Sequence, residues 1–196
     1  MKFDVIVIGG GLAGTIIAED LQKNGLECAI VSAGHSIHNM SYRAFENAGG
    51  ELLMGDSVTE GKFDGDRLIC ISTAKLGKDV LEADVFVLAT GKFFGCGIKT
   101  DMNRVYEPVF GCDIVLPEKE SWFNEDFAKG QGFLGIGVAT DAEGRVSVGG
   151  RTIGNLYAAG EVKSGITGAT QKGEEDIQSD ARTLAAKIKE VCHAGE

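Results

Sequence analysis

Residues 4–14 of the chain read DVIVIGGGLAG, an apolar run that leads into a cluster of glycines. Residues 5–8 are all β-branched, as in a parallel strand covered on both faces. Gly9, Gly11 and Gly14 fit the pattern G-x-G-x-x-G. In that pattern the first glycine permits a sharp turn, the second admits a pyrophosphate to the backbone, and the third lets the next helix pack closely. The run predicts a dinucleotide site at a helix N-terminus, and the alternative is a glycine-rich turn without a ligand.

The composition limits the size and the partners of the protein. Its 196 residues, 43% of them hydrophobic, suit one domain with a substantial core. The net charge of −10 disfavours nucleic acid or an anionic membrane as a partner. No run approaches the roughly 18 apolar residues of a membrane-spanning helix. The chain enters a strand almost at once, so we expect no signal peptide, no direct membrane span and a cytoplasmic location.

The cysteines and histidines show no arrangement typical of a metal site. The five cysteines are Cys28, Cys70, Cys96, Cys112 and Cys192, and no C-x-x-C pair occurs. We expect reduced, mostly buried thiols, with Cys96 in a glycine-rich loop as the one to test for reactivity. No histidine is spaced with cysteine or glutamate as zinc ligands are, so we expect no metal.

Helices and strands alternate after the glycines, as in a dinucleotide-binding fold. Residues 15–24 continue the helix, and strands are predicted at 28–31 and, after a short helix at 41–48, at 51–54. An acidic residue is expected after the second strand, to bind the ribose hydroxyls. Ser32 stands there instead. A serine binds a ribose more weakly, and no arginine stands beside it for a 2′-phosphate, so NADP is disfavoured.

The next segments form a β-meander and a buried strand. The meander is predicted at about residues 55–83, with a hairpin turn at Asp64-Gly65 and its last short strand at 79–83. A separate strand at residues 84–88 then leads into Ala89-Thr90-Gly91, where small residues let a ligand approach the edge of the sheet.

The remainder of the chain consists of a cover region, a last core strand and a helix. The cover region is irregular, spans about residues 93–134 and has Trp122 and Phe123 as its large apolar anchors. A strand is predicted at residues 135–140. The last core strand, at residues 155–161, ends in Gly160-Glu161, and a C-terminal helix follows at residues 174–192.

The blocks at residues 9–14, 87–91 and 155–161 resemble, in order and spacing, the two-dinucleotide-binding-domain flavoproteins. This resemblance implies an α/β, Rossmann-like FAD/NAD(P)-binding domain with a central parallel sheet and an inserted β-meander, spanning residues 1–196 as a single FAD-binding domain. It also implies that the first block holds the FAD pyrophosphate, that Ala-Thr-Gly passes near the cofactor, and that Gly-Glu contacts its ribityl-phosphate end.

A set of cofactor-binding residues follows from this resemblance. It comprises Gly9, Gly11, Leu12, Ala13, Gly14, Ser32, Ala33, Val58, Ala89, Thr90, Gly91, Gly160 and Glu161. The pyrophosphate turn favours FAD, while the weak ribose anchor leaves FMN open.

A closer resemblance, to the B subunits of anaerobic glycerol-3-phosphate dehydrogenases, touches both halves of the chain. It rests on residues 1–14, 26–34, 48–58, 89–95, 107–111, 137–141 and 153–156. It implies a flavin-dependent dehydrogenase that serves the oxidation of a small molecule, glycerol 3-phosphate, to dihydroxyacetone phosphate, with electrons passing to a quinone. The partners would be other dehydrogenase subunits, which would hold the chain peripherally at the inner membrane.

The chain departs from that family in two respects. Family members are longer and carry a large additional domain after the second strand, where this chain runs from His38 almost directly to Ser41. The family also has a glycine-rich run that leads into the last helix, and in related flavoenzymes the start of that helix faces the flavin. Here it carries Glu174, Glu175 and Asp176, which would oppose negative charge on a reduced flavin, unless this is a conventional acidic helix start that faces water.

No residue is typical of a catalytic base. His35 and His38 follow the second strand on the adenosine side, where we expect surface positions. The missing domain and the acidic helix start favour an alternative function, a flavin-binding electron-relay or assembly module without substrate chemistry of its own. A simple NAD-binding module is weakened by Ser32 and by the late Gly-Glu pair.

Overall fold

The computed structural model describes residues 1–34, 39–126, 128–168 and 171–194, so His35 and His38 lie outside the described residues. The strands are β1 Lys2–Ile8, β2 Cys28–Ser32, β3 Glu51–Met54, β4 Val58–Asp64, β5 Arg67–Thr73, β6 Val80–Leu88, β7 Lys99–Thr100, β8 Val105–Tyr106, β9 Ile114–Val115, β10 Gly137–Val138, β11 Arg145–Val148 and β12 Arg151–Ala158. The helices are α1 Leu12–Lys23, α2 Asn39–Asn47 and α3 Gln171–His193, and short 3₁₀ turns occupy Lys119–Ser121, Gly132–Gly135 and Gly160–Val162.

Strand β1 lies at the centre of an eight-stranded sheet. The order is β11-β12-β6-β1-β2-β3, with β4 and β5 joined to it through β6. β1 pairs in parallel with β2 and β6, β2 pairs in parallel with β3, and β6 with β12. The chain therefore leaves β1 toward β2 on one side and returns to β6 on the other, which makes the carboxyl end of β1 a topological switch point where ligands bind in open α/β sheets.

Both faces of this sheet are covered, which explains the unbroken apolar run of β1. Val5 and Val7 pack on one face with buried residues of α1 and α3. Ile6 and Ile8 pack on the other face with the β-meander and the cover region. Burying each such side chain contributes roughly 1.5–3 kcal/mol. In the part of the chain that the structure describes, no helix is both long and apolar enough to cross a membrane.

The β-meander differs from its prediction in its last strand. Residues 79–83 and 84–88 were expected to form separate strands, but β6 is continuous from Val80 to Leu88. Its first residues pair with β5 in antiparallel fashion, and its last residues pair with β12 in parallel. Because β5 and β12 share one edge of β6, the sheet branches there. A pattern of apolar residues cannot reveal that a strand changes its partner halfway along its length.

The buried side chain of Asn155 fills this branch point. Its Oδ1 accepts a hydrogen bond from the backbone N–H of Leu68 at 2.9 Å. Its Nδ2 donates to the carbonyl oxygens of Leu68 and Asp84, at 2.9 and 3.1 Å. One amide from β12 thus satisfies backbone groups of β5 and β6 where the regular ladder is interrupted.

The cover region between β6 and β11 contains two small antiparallel pairs, β7 with β8 and β9 with β10. The buried carboxylate of Glu107 organises the loop after β8, because it accepts hydrogen bonds from the backbone N–H groups of Val109 and Phe110 at 2.9 and 2.7 Å. The strand predicted at residues 135–140 is shorter in the structure, where β10 spans two residues and Thr140 forms only an isolated antiparallel bridge with Val146.

Only one of the two aromatic residues predicted to anchor the cover region does so. Trp122 is partly buried, packs on the second core, and donates its Nε1–H to the carbonyl oxygen of Pro117 at 2.9 Å. Phe123 is 74% exposed, so its prediction as an anchor was wrong. Its ring instead lies 5.6 Å from that of Phe133.

Candidate functional site

A cleft of about 1030 Å³ opens at the carboxyl ends of β1, β2 and β6. Residues 8–13, 31–34, 56–59, 89–91 and 94–97 form most of its wall. Glu161, after β12, and Glu174, in the first turn of α3, also line it. The cleft therefore lies at the switch point of the sheet and extends to both sides of β1.

The three motif glycines meet three different steric requirements. Gly9 has a φ of +112°, and a Cβ there would collide with the carbonyl oxygen of Ala89. A Cβ on Gly14 would collide with the carbonyl oxygen of Gly9, because α1 packs directly onto the turn. A Cβ on Gly11 would meet nothing within 4 Å, and Gly11 lines the cleft. The second glycine thus leaves open space at the N-terminus of α1, where backbone N–H groups favour an anion.

Ser32 lies on the β2 side of this turn. It is 5% exposed, and its Oγ donates a hydrogen bond to the carbonyl oxygen of Gly34 at 3.1 Å. Nearby, the hydroxyl of Tyr42 from α2 donates to the carbonyl oxygen of Gly10. Because the Ser32 proton is directed to Gly34, its oxygen lone pairs can only accept a hydrogen bond from a ligand.

Thr90 lies on the β6 side of the turn, in the wall of the cleft. Its Oγ1 is buried and has no hydrogen-bond partner within the described residues. A buried hydroxyl without a partner is unfavourable, by about 1–3 kcal/mol. Glu161, also on this side, accepts a hydrogen bond from the backbone N–H of Gly168 at 2.6 Å.

Asp180 holds the turn that carries Glu161. Its carboxylate, on α3, accepts hydrogen bonds from the backbone N–H of Gly160 at 3.0 Å and from the ammonium of Lys163. Gly160 has a φ of +69°, and a Cβ there would press against the side chain of Ala13 on α1. The turn is therefore clamped between α1 and α3.

The structure brings together the residues expected at the cofactor. All of them line the cleft except Gly14 and Gly160, which lie just behind its wall. Residues 94–97 and 107–109 also line the cleft and were not among those expected. They come from the irregular cover region, so no periodic pattern marks them. The positive φ of Cys96, 57°, is the one local signal there, and it is visible only in the structure.

Of the two interpretations of the acidic start of α3, one that faces the flavin and one that faces water, each applies to some of its residues. Glu174 lines the cleft, whereas Glu175 and Asp176 are exposed and do not line it. One carboxylate therefore faces the cleft, and two face water.

Three of the carboxylates in the cleft wall, those of Asp56, Glu107 and Glu161, are engaged by the backbone. Asp56 accepts hydrogen bonds from the backbone N–H groups of Ser57 and Lys75 and from the hydroxyl of Thr73. Glu107 and Glu161 are bound to backbone N–H groups as described above. These three side chains organise loops, and they are poorly placed to take a proton from a substrate.

A family model described as FAD binding domain matches residues 4–44 and 36–175. The chain belongs to the FAD binding domain family. The two matched segments overlap at residues 36–44, where the longer relatives were expected to carry their additional domain. The cofactor of this FAD binding domain is FAD, as the sequence predicted.

The curated relatives of this FAD binding domain bear out the closer resemblance. The B subunit of the anaerobic glycerol-3-phosphate dehydrogenase of Vibrio vulnificus is 39% identical over 136 residues, which cover 67% of this chain and 31% of the relative. The protein of the same name from Actinobacillus succinogenes is 37% identical over 137 residues, covering 67% and 32%. The chain thus spans about a third of the length of these relatives.

Solved structures confirm the predicted Rossmann-like fold. An oxidoreductase from Agrobacterium tumefaciens superposes over 100% of both chains with a TM-score of 0.65 at 12% identity. A thioredoxin reductase from Streptococcus pyogenes superposes over 98% of this chain and 99% of its own with a TM-score of 0.60 at 13% identity. At such low identity the likeness concerns the fold alone.

The residues of the cleft fit FAD. Gly11 leaves room for a pyrophosphate at the N-terminus of α1. By the rule for dinucleotide folds, the adenosine ribose lies at the end of β2, beside Ser32. The other half of the cofactor then extends across β1 toward β6 and β12, where the Oγ1 of Thr90 has no partner within the described residues. The hydroxyl that the protein leaves unsatisfied thus lies on the flavin side.

Proposed function

We propose that this chain is the FAD-binding part of a flavin-dependent dehydrogenase, similar to the B subunit of anaerobic glycerol-3-phosphate dehydrogenase. Its substrate would be glycerol 3-phosphate, oxidised to dihydroxyacetone phosphate, with electrons passing to partner subunits and a quinone. The supporting observation is the continuous cleft that joins the glycine turn after β1 to the ends of β6 and β12. The names of the curated relatives support the substrate.

Each part of the cleft has its own task in this function. The N-terminus of α1, opened by Gly11, binds the pyrophosphate, and Ser32 accepts a hydrogen bond from the ribose. The unpaired hydroxyl of Thr90, buried in the wall, would rotate to donate to the flavin half, and Glu161 shapes the backbone beside it. Bound FAD supplies an acceptor for two electrons, and the protein positions it and excludes water.

A second candidate is a flavin-holding relay or assembly module that does no substrate chemistry. The engagement of Asp56, Glu107 and Glu161 by the backbone favours it, because these three carboxylates are then poorly placed to act as a base. The stretch that matches the curated relatives covers about a third of each of them. In that case a partner chain would present the substrate.

The visible spectrum of the purified protein tests both candidates. A colourless protein that also resists reconstitution with FAD and FMN would overturn them together. Extraction and mass spectrometry of the cofactor distinguish FAD from FMN. Anaerobic addition of glycerol 3-phosphate then separates the candidates, because bleaching by this chain alone excludes a pure relay. A bound flavin that dithionite bleaches and glycerol 3-phosphate does not supports the relay.

The organisation and location of the chain are part of the proposal. Residues 1–196 act as a single FAD-binding domain, with the β-meander as part of its sheet and the irregular region as its cover. The protein works in the cytoplasm and reaches the inner membrane only through partner subunits. Membrane fractionation with and without those subunits would test this location.

A further inference from the structure

Lys92 is a buried cation for which the proposed function has no task. It follows Gly91 at the end of the Ala-Thr-Gly turn and is only 6% exposed. Its ammonium group donates hydrogen bonds to the carbonyl oxygen of Ile166, at 2.7 Å, and to that of Leu134. Both partners are neutral, so the charge of Lys92 is not cancelled by a bonded carboxylate.

Such a position is unfavourable for a lysine. Burial penalises the charged form and lowers the pKa of Lys92 to about 8, although the nearby carboxylate of Glu161 acts in the opposite direction. A methionine would fill the same space without this penalty. A buried cation of this kind beside a cleft is a candidate functional residue.

The segment that Lys92 binds at Ile166 continues into the wall of the cleft. Two residues after Ile166, the backbone N–H of Gly168 bonds to Glu161, and both residues line the cleft. The 134–138 and 163–166 segments already run side by side, joined by the bond from Gly165 N–H to the carbonyl oxygen of Gly135 at 2.9 Å. Lys92 binds a carbonyl oxygen in each of these two segments, and it thereby connects both of them to the end of β6.

The topology of the sheet places the contacts of Lys92 beside the flavin half of the cofactor. The pyrophosphate lies at the N-terminus of α1, and the adenosine lies on the β2 side. The isoalloxazine must then lie on the β6 and β12 side, where the Ala-Thr-Gly turn, Glu161 and Gly168 line the cleft. On that side Glu161 and Glu174 are negative, and Lys92 is a buried positive charge behind the same wall.

We propose that Lys92 is the positioning residue of the flavin side: it fastens the 166–168 segment to the end of β6, and its positive charge favours the reduced cofactor. Its effect is exerted through the wall of the cleft and its electric field. This role rests on the proposed function, since it requires FAD in this cleft.

The test measures FAD affinity and midpoint potential in Lys92→Met and in two other lysine variants. Lys78→Met removes an exposed charge from the β5–β6 connection, outside the cleft lining, and Lys99→Met removes an exposed charge from the cleft mouth. For Lys92→Met we expect at least a tenfold weaker affinity for oxidised FAD. We also expect at least a tenfold further loss of preference for the reduced form, which lowers a two-electron potential by about 30 mV.

The outcomes separate this proposal from the proposed function. A wild-type protein that binds no flavin overturns the proposed function itself. A wild-type protein that binds FAD, with Lys92→Met unchanged in affinity and potential, overturns only the role of Lys92. An equal change in Lys99→Met also overturns it, because the effect would then belong to any charge near the cleft.

Two further variants decide the matter if Lys92→Met fails to fold. Lys92→Arg keeps the charge and should keep the potential. Lys92→Gln keeps one donor group without the charge and should lower the potential. A wild-type potential in Lys92→Gln overturns the electrostatic role, and a lowered one in Lys92→Arg does the same.

Discussion

The side-chain amide of Asn155 bonds to both backbone groups of Leu68, with each hydrogen bond 2.9 Å long. Its amide thus replaces the strand-to-strand hydrogen bonds that are interrupted where the sheet branches. We expect Asn155→Leu to lower the free energy of unfolding by about 2–4 kcal/mol, because buried N–H and C=O groups lose their partners. Urea denaturation measures this loss. The matched control is Asn103→Leu at an exposed position, and equal losses in the two variants would contradict the role given to Asn155.

Gly11 and Gly14 should respond in opposite ways to an added side chain. Gly11→Val should still fold, since a Cβ meets nothing within 4 Å there, with only the small loss of stability that a β-branched N-cap causes, and it should abolish FAD binding because the side chain fills the pyrophosphate space. Gly14→Ala should destabilise the protein by about 1–3 kcal/mol, since its Cβ collides with the turn. Calorimetry and flavin content check both. Flavin retained at the wild-type level in Gly11→Val would refute the placement of the pyrophosphate.

Replacing Thr90 should affect the affinity for FAD without lowering the stability of the cofactor-free protein. Thr90→Val removes a buried hydroxyl that lacks a partner within the described residues, so the cofactor-free protein should be as stable or slightly more stable. The affinity for FAD should fall about tenfold, the value of a hydrogen bond of roughly 1.4 kcal/mol. Flavin fluorescence titration measures it, with Thr90→Ser as the control that keeps the hydroxyl. Equal affinity in Thr90→Val and wild type would exclude a bond to the cofactor.

The titration of Lys92 predicts a dependence of stability on pH. Burial lowers its pKa from the usual 10.5 to about 8 in the folded protein. Between these values the unfolded chain binds more protons, so stability rises with pH. The difference in free energy of unfolding, wild type minus Lys92→Met, should therefore increase from pH 8 to 10.5, by up to about 3 kcal/mol. Denaturation at several pH values tests this. If the difference between wild type and Lys78→Met rose with pH in the same way, groups other than Lys92 would be responsible for the pH dependence.

The sequence predicted best those features that depend on short-range sterics. Gly9 and Gly14 have the predicted steric roles, and Gly11 leaves open the space where a pyrophosphate is expected, because each of these features is decided by neighbours a few residues away or by the first packed strand. The strand at residues 51–54 was predicted at its observed bounds, since turn residues flank it on both sides. The cofactor followed from the order of three glycine-containing blocks.

Features that depend on distant partners were not predictable. β6 was divided into two strands because its change of partner, from β5 to β12, leaves no mark in its own residues. Phe123 was predicted to be an anchor because its side chain is large and apolar, but the sequence does not indicate which residues, if any, cover that side chain. The contacts of Lys92 were also not predicted, because the carbonyl oxygens that it binds belong to residues 42 and 74 positions away.

The branching of the sheet has a consequence for the order in which the chain folds. Phe86 and Leu88 of β6 acquire their outer neighbour only from Leu156 and Ala158 of β12. During synthesis on the ribosome, this edge of the central sheet therefore stays open until about seventy more residues have emerged. Such an apolar, unpaired edge is where a nascent chain associates wrongly with its neighbours. Interrupted translation within the cover region should thus yield aggregates, whereas completion of β12 should close the sheet and end that exposure.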